Sequence, residues 1–304
     1  MIYVILYTRL FNAKLKKLKK RKNLIYFFMK SYVHRHPVLT YFILTFVITW
    51  TCWITVILLI EPYIASPELA PITLLIFLEI LVKIGVFGPG IAGLILTLTL
   101  YGKNGLRDFV SRIFKWRVNP IFYLFALFIP IVIYMIPLSI ELMLGESFPT
   151  TIAEYGVIGF IFHYLNRLLL GNYEEEIGWR GFAQHHLQKT YSPIKMSLII
   201  SLPHAIWHIP MFLIESGSID VLDFLIYTIR VVILTFLATW LYSKTQSVLL
   251  TALLHVTANE SSLFLAVNTI QSIFFLMVII AIIGIILIIF FAENRVNVDD
   301  IVKT

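Results

Sequence analysis

The sequence predicts an all-α membrane protein, a bundle of about eight transmembrane helices with a polar site buried between the helices. Three observations predict this class: hydrophobic residues make up 59% of the 304-residue chain, charged residues make up 13%, and the mean hydropathy is +0.89. Soluble domains contain about 45–50% apolar and about 25% charged residues. The composition therefore excludes an ordinary soluble domain and favours a multi-pass membrane protein.

The first element is a basic N-terminal segment, residues 1–37, which holds ten of the 24 Lys and Arg residues of the chain. Beside a first membrane span, such a cluster predicts a cytoplasmic segment that contacts anionic lipids. A nucleic-acid partner is not expected, because no folded basic domain accompanies the cluster. The single cysteine, Cys52, excludes a disulfide framework and a cysteine-based metal cluster.

Apolar stretches of about 20 residues, the length that crosses a bilayer, predict the helices that follow. The candidate spans are 38–60, 80–101, 119–142, 156–173, 194–214, 221–243, 247–266 and 270–291. The second belongs to a longer apolar stretch, 71–101, in which Gly88-Pro89-Gly90 predicts a kink or close helix packing. One helical domain over 38–291 and a short cytoplasmic tail over 292–304 result.

The charges of the connecting loops predict the orientation. Segment 101–118 carries five basic residues and one acid, whereas 61–70, 143–155 and 215–220 carry acids and no Lys or Arg. Because basic loops stay in the cytoplasm, both termini are expected on the cytoplasmic side of the cell membrane, with eight crossings between them.

An acidic cluster, Glu174 to Glu176, directly follows the fourth candidate span. Each ionisable group at bilayer depth costs about 2.5–3.5 kcal/mol on insertion scales, so the cluster predicts a functional site. If this stretch is helical, Glu176 and Arg180 are one turn apart and form an ion pair. Glu175 is then rotated by about 100° and faces a cavity. The alternative is a charged interfacial turn that caps the fourth span.

Two further polar pairs have helical i,i+4 spacing. His204 and His208 share a helix face, which lets two imidazoles address one metal ion or one water. The zincin pattern is excluded, because Ala205 stands where that pattern has Glu. His255 and Asn259 repeat the spacing and can stabilise a developing oxyanion. The alternatives are histidines that only pack and a polar clasp between helices.

Other charged residues are interpreted as structural. Arg230 lies in the middle of the sixth span and must find an acid or water, with Glu260 or Glu79 as candidate partners; we favour such a pair over contact with a substrate carboxylate. Arg167 is expected to reach the interface or to pair internally. The histidines without motif context, all expected to be structural, are His163, His185 and His186.

These three segments, in this order, resemble the family of CaaX-type prenyl proteases and bacteriocin-processing or self-immunity proteins. The family motifs are two glutamates with an arginine four residues after the second, then Phe-x-x-x-His, then His-x-x-x-Asn. The matching residues here are Glu175, Glu176 and Arg180, then His208, then His255 and Asn259. The resemblance covers about residues 38–290. One position departs from the motif: His204 stands where the family usually has Phe.

The resemblance implies an intramembrane endopeptidase that acts on a membrane-bound or lipidated peptide or protein. It implies that Glu175 and His208 activate a water, and that His255 and Asn259 stabilise the tetrahedral oxyanion. The residues expected to support the site are Glu176 and Arg180. Two roles stay open for His204, which is either a third imidazole at the centre or a lining residue. Two mechanisms stay open: a divalent metal such as zinc bound by Glu175, His208 and His255, or a metal-free glutamate-type hydrolase.

Two alternatives belong to other functional classes. An ion- or proton-coupled transporter would use the same acids and histidines, and it should show internal repeats with paired broken helices. Segments 38–173 and 194–291 show no convincing repeat. A non-catalytic bacteriocin self-immunity protein would keep the fold, although the intact set of motif residues argues against a decayed site.

Overall fold

A computed structural model describes residues 31–64, 66–145 and 151–264 of the chain. Every regular element in these ranges is helical, and they contain no strand, which confirms the all-α class. Most of the basic N-terminal segment, the predicted eighth span at 270–291 and the tail at 292–304 lie outside the described residues.

The helices follow one another in a simple order. They are α1 Pro37–Ile60, α2 Ile72–Val86, α3 Gly88–Ile113, α4 Ile121–Met143, α5 Thr151–Arg167, α6 Tyr173–Gly178, α7 His185–Leu187, α8 Pro193–Trp207, α9 Ile209–Ser216, α10 Val221–Thr245 and α11 Val248–Phe264. Short 3-10 turns at Glu61–Tyr63 and Pro67–Leu69 follow α1, and π-helical turns at Leu168–Asn172 and Trp179–Gln184 flank α6. We call residues 168–187 the motif segment.

Several helices have the length and apolar character of membrane spans. Four stretches qualify: Pro37–Tyr63, Ile121–Met143, Pro193–Glu215 and Val221–Thr245. Helices α2 and α3 qualify together as one bent span, and α11 is apolar but has 17 residues. The chain is therefore a multi-pass membrane protein. The number of eight crossings and the cytoplasmic position of both termini stay predictions.

The kink predicted at Gly88-Pro89-Gly90 is confirmed. The axes of α2 and α3 differ by 52°, and Pro89 lies in the first turn of α3, where a missing N–H costs nothing. Close packing occurs at the same place. A Cβ atom on Gly90 would lie 2.8 Å from the carbonyl oxygen of Glu174, and one on Gly178 would collide with the backbone of Pro89. The glycines thus let the motif segment lie directly on α3.

Two apolar cores hold the helices on either side of the motif segment. The first joins α1, α3, α8 and the motif segment around the fully buried indoles of Trp53, Trp179 and Trp207. The second joins α4, α10 and α11 through residues such as Leu138 and Leu250. Helix α11 also contacts the motif segment through the hydrogen bond between His255 and Glu176. The polar residues of the motifs are therefore enclosed by helices on several sides.

Candidate active site

The motif segment turns inward among the helices. All three side chains of the acidic cluster are buried: Glu174 is 2% exposed, Glu175 is 4% exposed and Glu176 is fully buried. Such burial excludes the alternative of a solvated interfacial turn, whose carboxylates would face water. The widened π-helical turns on both sides of α6 are typical of functional sites in helices.

Glu176 is the anchored acid of the cluster. Its Oε1 atom accepts a hydrogen bond from Nη1 of Arg180 at 2.8 Å, so the ion pair expected from the spacing is confirmed. The same oxygen lies 2.9 Å from Nδ1 of His255 on α11. Both cation and carboxylate are fully buried, where an unpaired charge would be strongly destabilising. Glu176 thereby ties the motif segment to α11.

Glu175 points to a different partner. Its Oε2 atom lies 3.1 Å from Nε2 of His204, which is 1% exposed. The indole of Trp179 stacks on the His204 ring, with centroids 4.7 Å apart and planes 25° apart. Oε1 of Glu175 has no hydrogen-bond partner among the described residues and is the oxygen available for a water or an ion.

His208 lies at the break between α8 and α9. Its Nδ1–H donates to the carbonyl oxygen of His204 at 3.1 Å, which leaves the lone pair of Nε2 available for a proton or a metal ion. The ring of Tyr227 on α10 contacts the His208 ring, with centroids 5.1 Å apart. These two contacts fix the orientation of the imidazole.

His255 and Asn259 lie one turn apart on α11. Because Nδ1 of His255 is bound to Glu176, its Nε2 is the atom that remains for a substrate. The His255 and His204 rings have centroids 6.0 Å apart. Asn259 is half-buried and makes no hydrogen bond with its side chain to the described residues. The structure thus brings the motif glutamates and histidines to one region between helices, and Asn259 lies one turn further along α11 from His255.

Among the described residues, Glu175, His204 and His208 form a group of potential metal ligands. One ligand atom from each lies within 4.8 Å of the others. Donor atoms of a tetrahedral zinc ion are about 3.3 Å apart for bonds of about 2.0–2.1 Å. The 3.1 Å between Glu175 and His204 is close to that spacing, and the ligand atom of His208 lies within 4.8 Å of both. Two imidazoles, one carboxylate and an open position are a known catalytic zinc arrangement.

This group differs from the expected ligand set in one member. The ligand set expected from the sequence, Glu175, His208 and His255, stays a prediction, whereas the donor atoms within 4.8 Å of one another belong to Glu175, His204 and His208. The physical reason is that Glu176 holds His255 through Nδ1, whereas His204 is directed at Glu175 by its hydrogen bond and by the stacked Trp179. His204 is therefore part of the acid–imidazole cluster rather than a peripheral lining residue.

Two side chains at the site were missed by the sequence analysis. Trp179 lies inside the motif segment, where a large aromatic between a glycine and an arginine is a recognisable signal. Tyr227 carries no such signal, because its contact with His208 depends on how α10 packs against α8.

The other charged residues behave partly as expected. Glu260 lies 2.8 Å from Nδ1 of His163 and 3.6 Å from Nε of Arg167, so internal pairing of Arg167 is confirmed. The predicted pairing of Arg230 with Glu260 or Glu79 is wrong. Glu260 pairs with His163 and Arg167 instead, and no described carboxylate lies within ion-pair distance of Arg230.

His186 has a structural environment at the end of the motif segment. Burial lowers the pKa of His186 to about 4, so its ring is neutral near pH 7. Its Nδ1–H donates to the carbonyl oxygen of Phe182 at 2.7 Å, and its Nε2 accepts from the hydroxyl of Tyr101 at 2.8 Å. Both ring nitrogens are thus occupied by hydrogen bonds.

Comparison with known proteins identifies the same region. Residues 157–261 match the family described as type II CAAX prenyl endopeptidase Rce1-like, and this range includes all the motif residues. The protein named CAAX prenyl protease 2 from Methanococcus maripaludis is 27% identical over 244 residues, which cover 75% of this chain and 84% of that protein. The motif spacing, the approach of the motif side chains to one another and both comparisons agree that the chain is similar to the CAAX prenyl proteases.

Proposed function

We propose that the protein is an intramembrane endopeptidase that hydrolyses a peptide bond near the C-terminus of a membrane-associated, lipidated peptide or protein. The observation that carries the proposal is the convergence of Glu175, His204 and His208, which offer three ligand or base atoms within 4.8 Å of one another. An acid held beside imidazoles in a site enclosed by helices has the components for activating a water.

Glu175 and His208 are the groups that take a proton from the water. The free oxygen of Glu175 and the lone pair of His208 Nε2 are both basic atoms without a partner among the described residues. As the water oxygen attacks the carbonyl carbon, the proton moves to one of these atoms and then to the leaving amine. A positioned general base contributes typically about 10²–10⁴-fold to the rate.

His255 and Asn259 are suited to the charge that develops on the carbonyl oxygen. Asn259 donates from its side-chain amide, and His255, which Glu176 holds through Nδ1, presents its Nε2 atom to the same region. Donors placed at the oxyanion in a water-poor site stabilise the transition state more than they would in water.

A divalent ion such as zinc fits the donor set of Glu175, His204 and His208. When bound, it would lower the pKa of a coordinated water and polarise the carbonyl. The supporting residues have the same role with or without it, because Glu176 and Arg180 hold the motif segment in place and Trp179 fixes the His204 ring.

Digestion by the purified protein in liposomes tests the proposal. Matched CaaX peptides, with and without a prenyl group on the cysteine, are incubated with and without a chelator, and the products are identified by mass spectrometry. We expect a fragment with a newly formed carboxylate, produced faster from the lipidated peptide. Loss of the fragment with chelator assigns a metal-dependent mechanism, and its persistence assigns a glutamate-type mechanism. No fragment from either peptide with folded protein would contradict the proposed function.

A further inference from the structure

Arg230 carries a positive charge inside α10 without a matching anion among the described residues. It is the tenth residue of a 25-residue helix that is long and apolar enough to cross a membrane. Two other arginines near the site are compensated, since Arg180 pairs with Glu176 and Arg167 pairs with Glu260. A charged group within a span is costly, and such residues usually face an interior cavity and a charged or polar partner.

The surroundings of Arg230 fix the guanidinium without neutralising it. Nη2 donates a hydrogen bond to the hydroxyl oxygen of Ser262 on α11, and the guanidinium lies over the ring of Tyr134, 5.7 Å from its centroid. Together with Tyr134, Leu234 and Ala258, Arg230 lines a small cavity between α4, α10 and α11. A guanidinium has five N–H donors, so the one bond to Ser262 leaves a planar donor pair free for a carboxylate.

Ser262, the hydrogen-bond partner of Arg230, lies on the same side of α11 as His255. Ser262 follows His255 by seven residues, which is two helical turns and a rise of about 10 Å. Three residues of extended peptide also span about 10 Å. A second link comes from α10, where Tyr227 precedes Arg230 by three residues and contacts the ring of His208. The guanidinium therefore lies a few peptide residues away from the catalytic candidates.

We propose that Arg230 binds the C-terminal carboxylate of the peptide substrate and thereby fixes which bond reaches the active site. The proposal rests on the proposed function and specifies how that site selects its substrate. A CaaX sequence lies at the C-terminus of a protein, so its terminal carboxylate is always within a few residues of the cleaved bond. The substrate carboxylate then supplies the counter-charge that no described carboxylate gives Arg230. Internal sequences without a nearby C-terminus are cleaved poorly.

Two peptides that differ only at the C-terminal group test the proposal. One ends in a free carboxylate and the other in a carboxamide. Both are digested by the wild-type protein, by Arg230→Gln and by Arg107→Gln, which changes an exposed cation on α3. We expect the wild type and Arg107→Gln to prefer the carboxylate peptide in kcat/KM by at least about tenfold, as for other charge-assisted bidentate contacts. Arg230→Gln should cleave the amide peptide like the wild type and show no preference.

A third peptide, extended by one residue at its C-terminus, gives a test that needs no variant. If the carboxylate sets the distance, the wild-type protein cleaves the bond one residue further toward the C-terminus. Equal cleavage of carboxylate and amide by the wild type, a preference retained in Arg230→Gln, or an unchanged cleavage position would each overturn the role of Arg230 while leaving the peptidase intact. Failure of the wild-type protein to cleave any of the peptides would instead contradict the proposed function.

Discussion

At the residue scale, two adjacent glutamates have opposite surroundings. Glu176 accepts from both Arg180 and His255, so its charge is compensated and its side chain is fixed. Glu175 meets only His204 and keeps one oxygen without a partner among the described residues. Successive side chains on a helix point about 100° apart. Glu175 and Glu176 are adjacent in the sequence and therefore face different partners, so that one acid is structural and the other is available for chemistry.

The first prediction concerns the members of the ligand group. In His204→Phe, which restores the residue usual in the family motif, we expect zinc affinity to fall by at least about 100-fold, the upper end of the cost of losing an outer-shell partner. In His255→Gln, which keeps a donor for Glu176, we expect a smaller loss. Calorimetric zinc titration of the purified proteins measures both. If zinc affinity fell only in His255→Gln, the result would favour the ligand set expected from the sequence, Glu175, His208 and His255.

The sequence predicted the contact between Glu176 and Arg180 but not the contact between Glu175 and His204, and the reason is physical. Glu176 and Arg180 are four positions apart, and local helical geometry brings them together. Glu175 and His204 are separated by 29 positions and lie on different helices, so their contact depends on the packing of α8 against the motif segment. Spacing within one helix carries no information on that packing.

At the scale of elements, the motif segment owes its position to close backbone contact with α3. Gly178 meets the backbone of Pro89, and Gly90 meets the carbonyl oxygen of Glu174. The bend at Gly88-Pro89-Gly90 was predictable, because glycine and proline act through the local backbone. The π-helical turns at Leu168–Asn172 and Trp179–Gln184 were not, because a change in helical register depends on neighbouring helices rather than on residue type.

Gly178→Ala tests this packing. The added methyl group would collide with the carbonyl of Pro89 and the hydroxyl of Tyr41, and overpacking of this kind typically costs about 1–3 kcal/mol. We expect a lower midpoint of thermal unfolding in detergent and reduced cleavage. Gly171→Ala is the matched control, because its methyl group would meet only the side chain of Arg167 at 3.6 Å. Equal stability of the two variants would show that the close approach is unimportant.

At the scale of the whole molecule, the helices enclose a group of charges that would be unfavourable in lipid. Seven of the eight apolar stretches predicted from the sequence correspond to described helices, and the eighth lies outside the described residues. Hydropathy predicts the helices because a stretch of about 20 mainly apolar residues is long enough to cross the bilayer as a helix. It does not give their arrangement, which here follows from the two aromatic and aliphatic cores and from the hydrogen bond between α11 and the motif segment.

The rate of peptide cleavage by Glu175→Gln in liposomes tests the central claim most directly. Product formation is measured by mass spectrometry beside the wild type and Glu68→Gln, which changes an exposed glutamate in the 3-10 turn after α1. We expect the cleavage rate of Glu175→Gln to fall about 10²–10⁴-fold, because a general base is removed. The cleavage rate of Glu68→Gln should equal that of the wild type. Wild-type turnover by a folded Glu175→Gln protein would contradict the account.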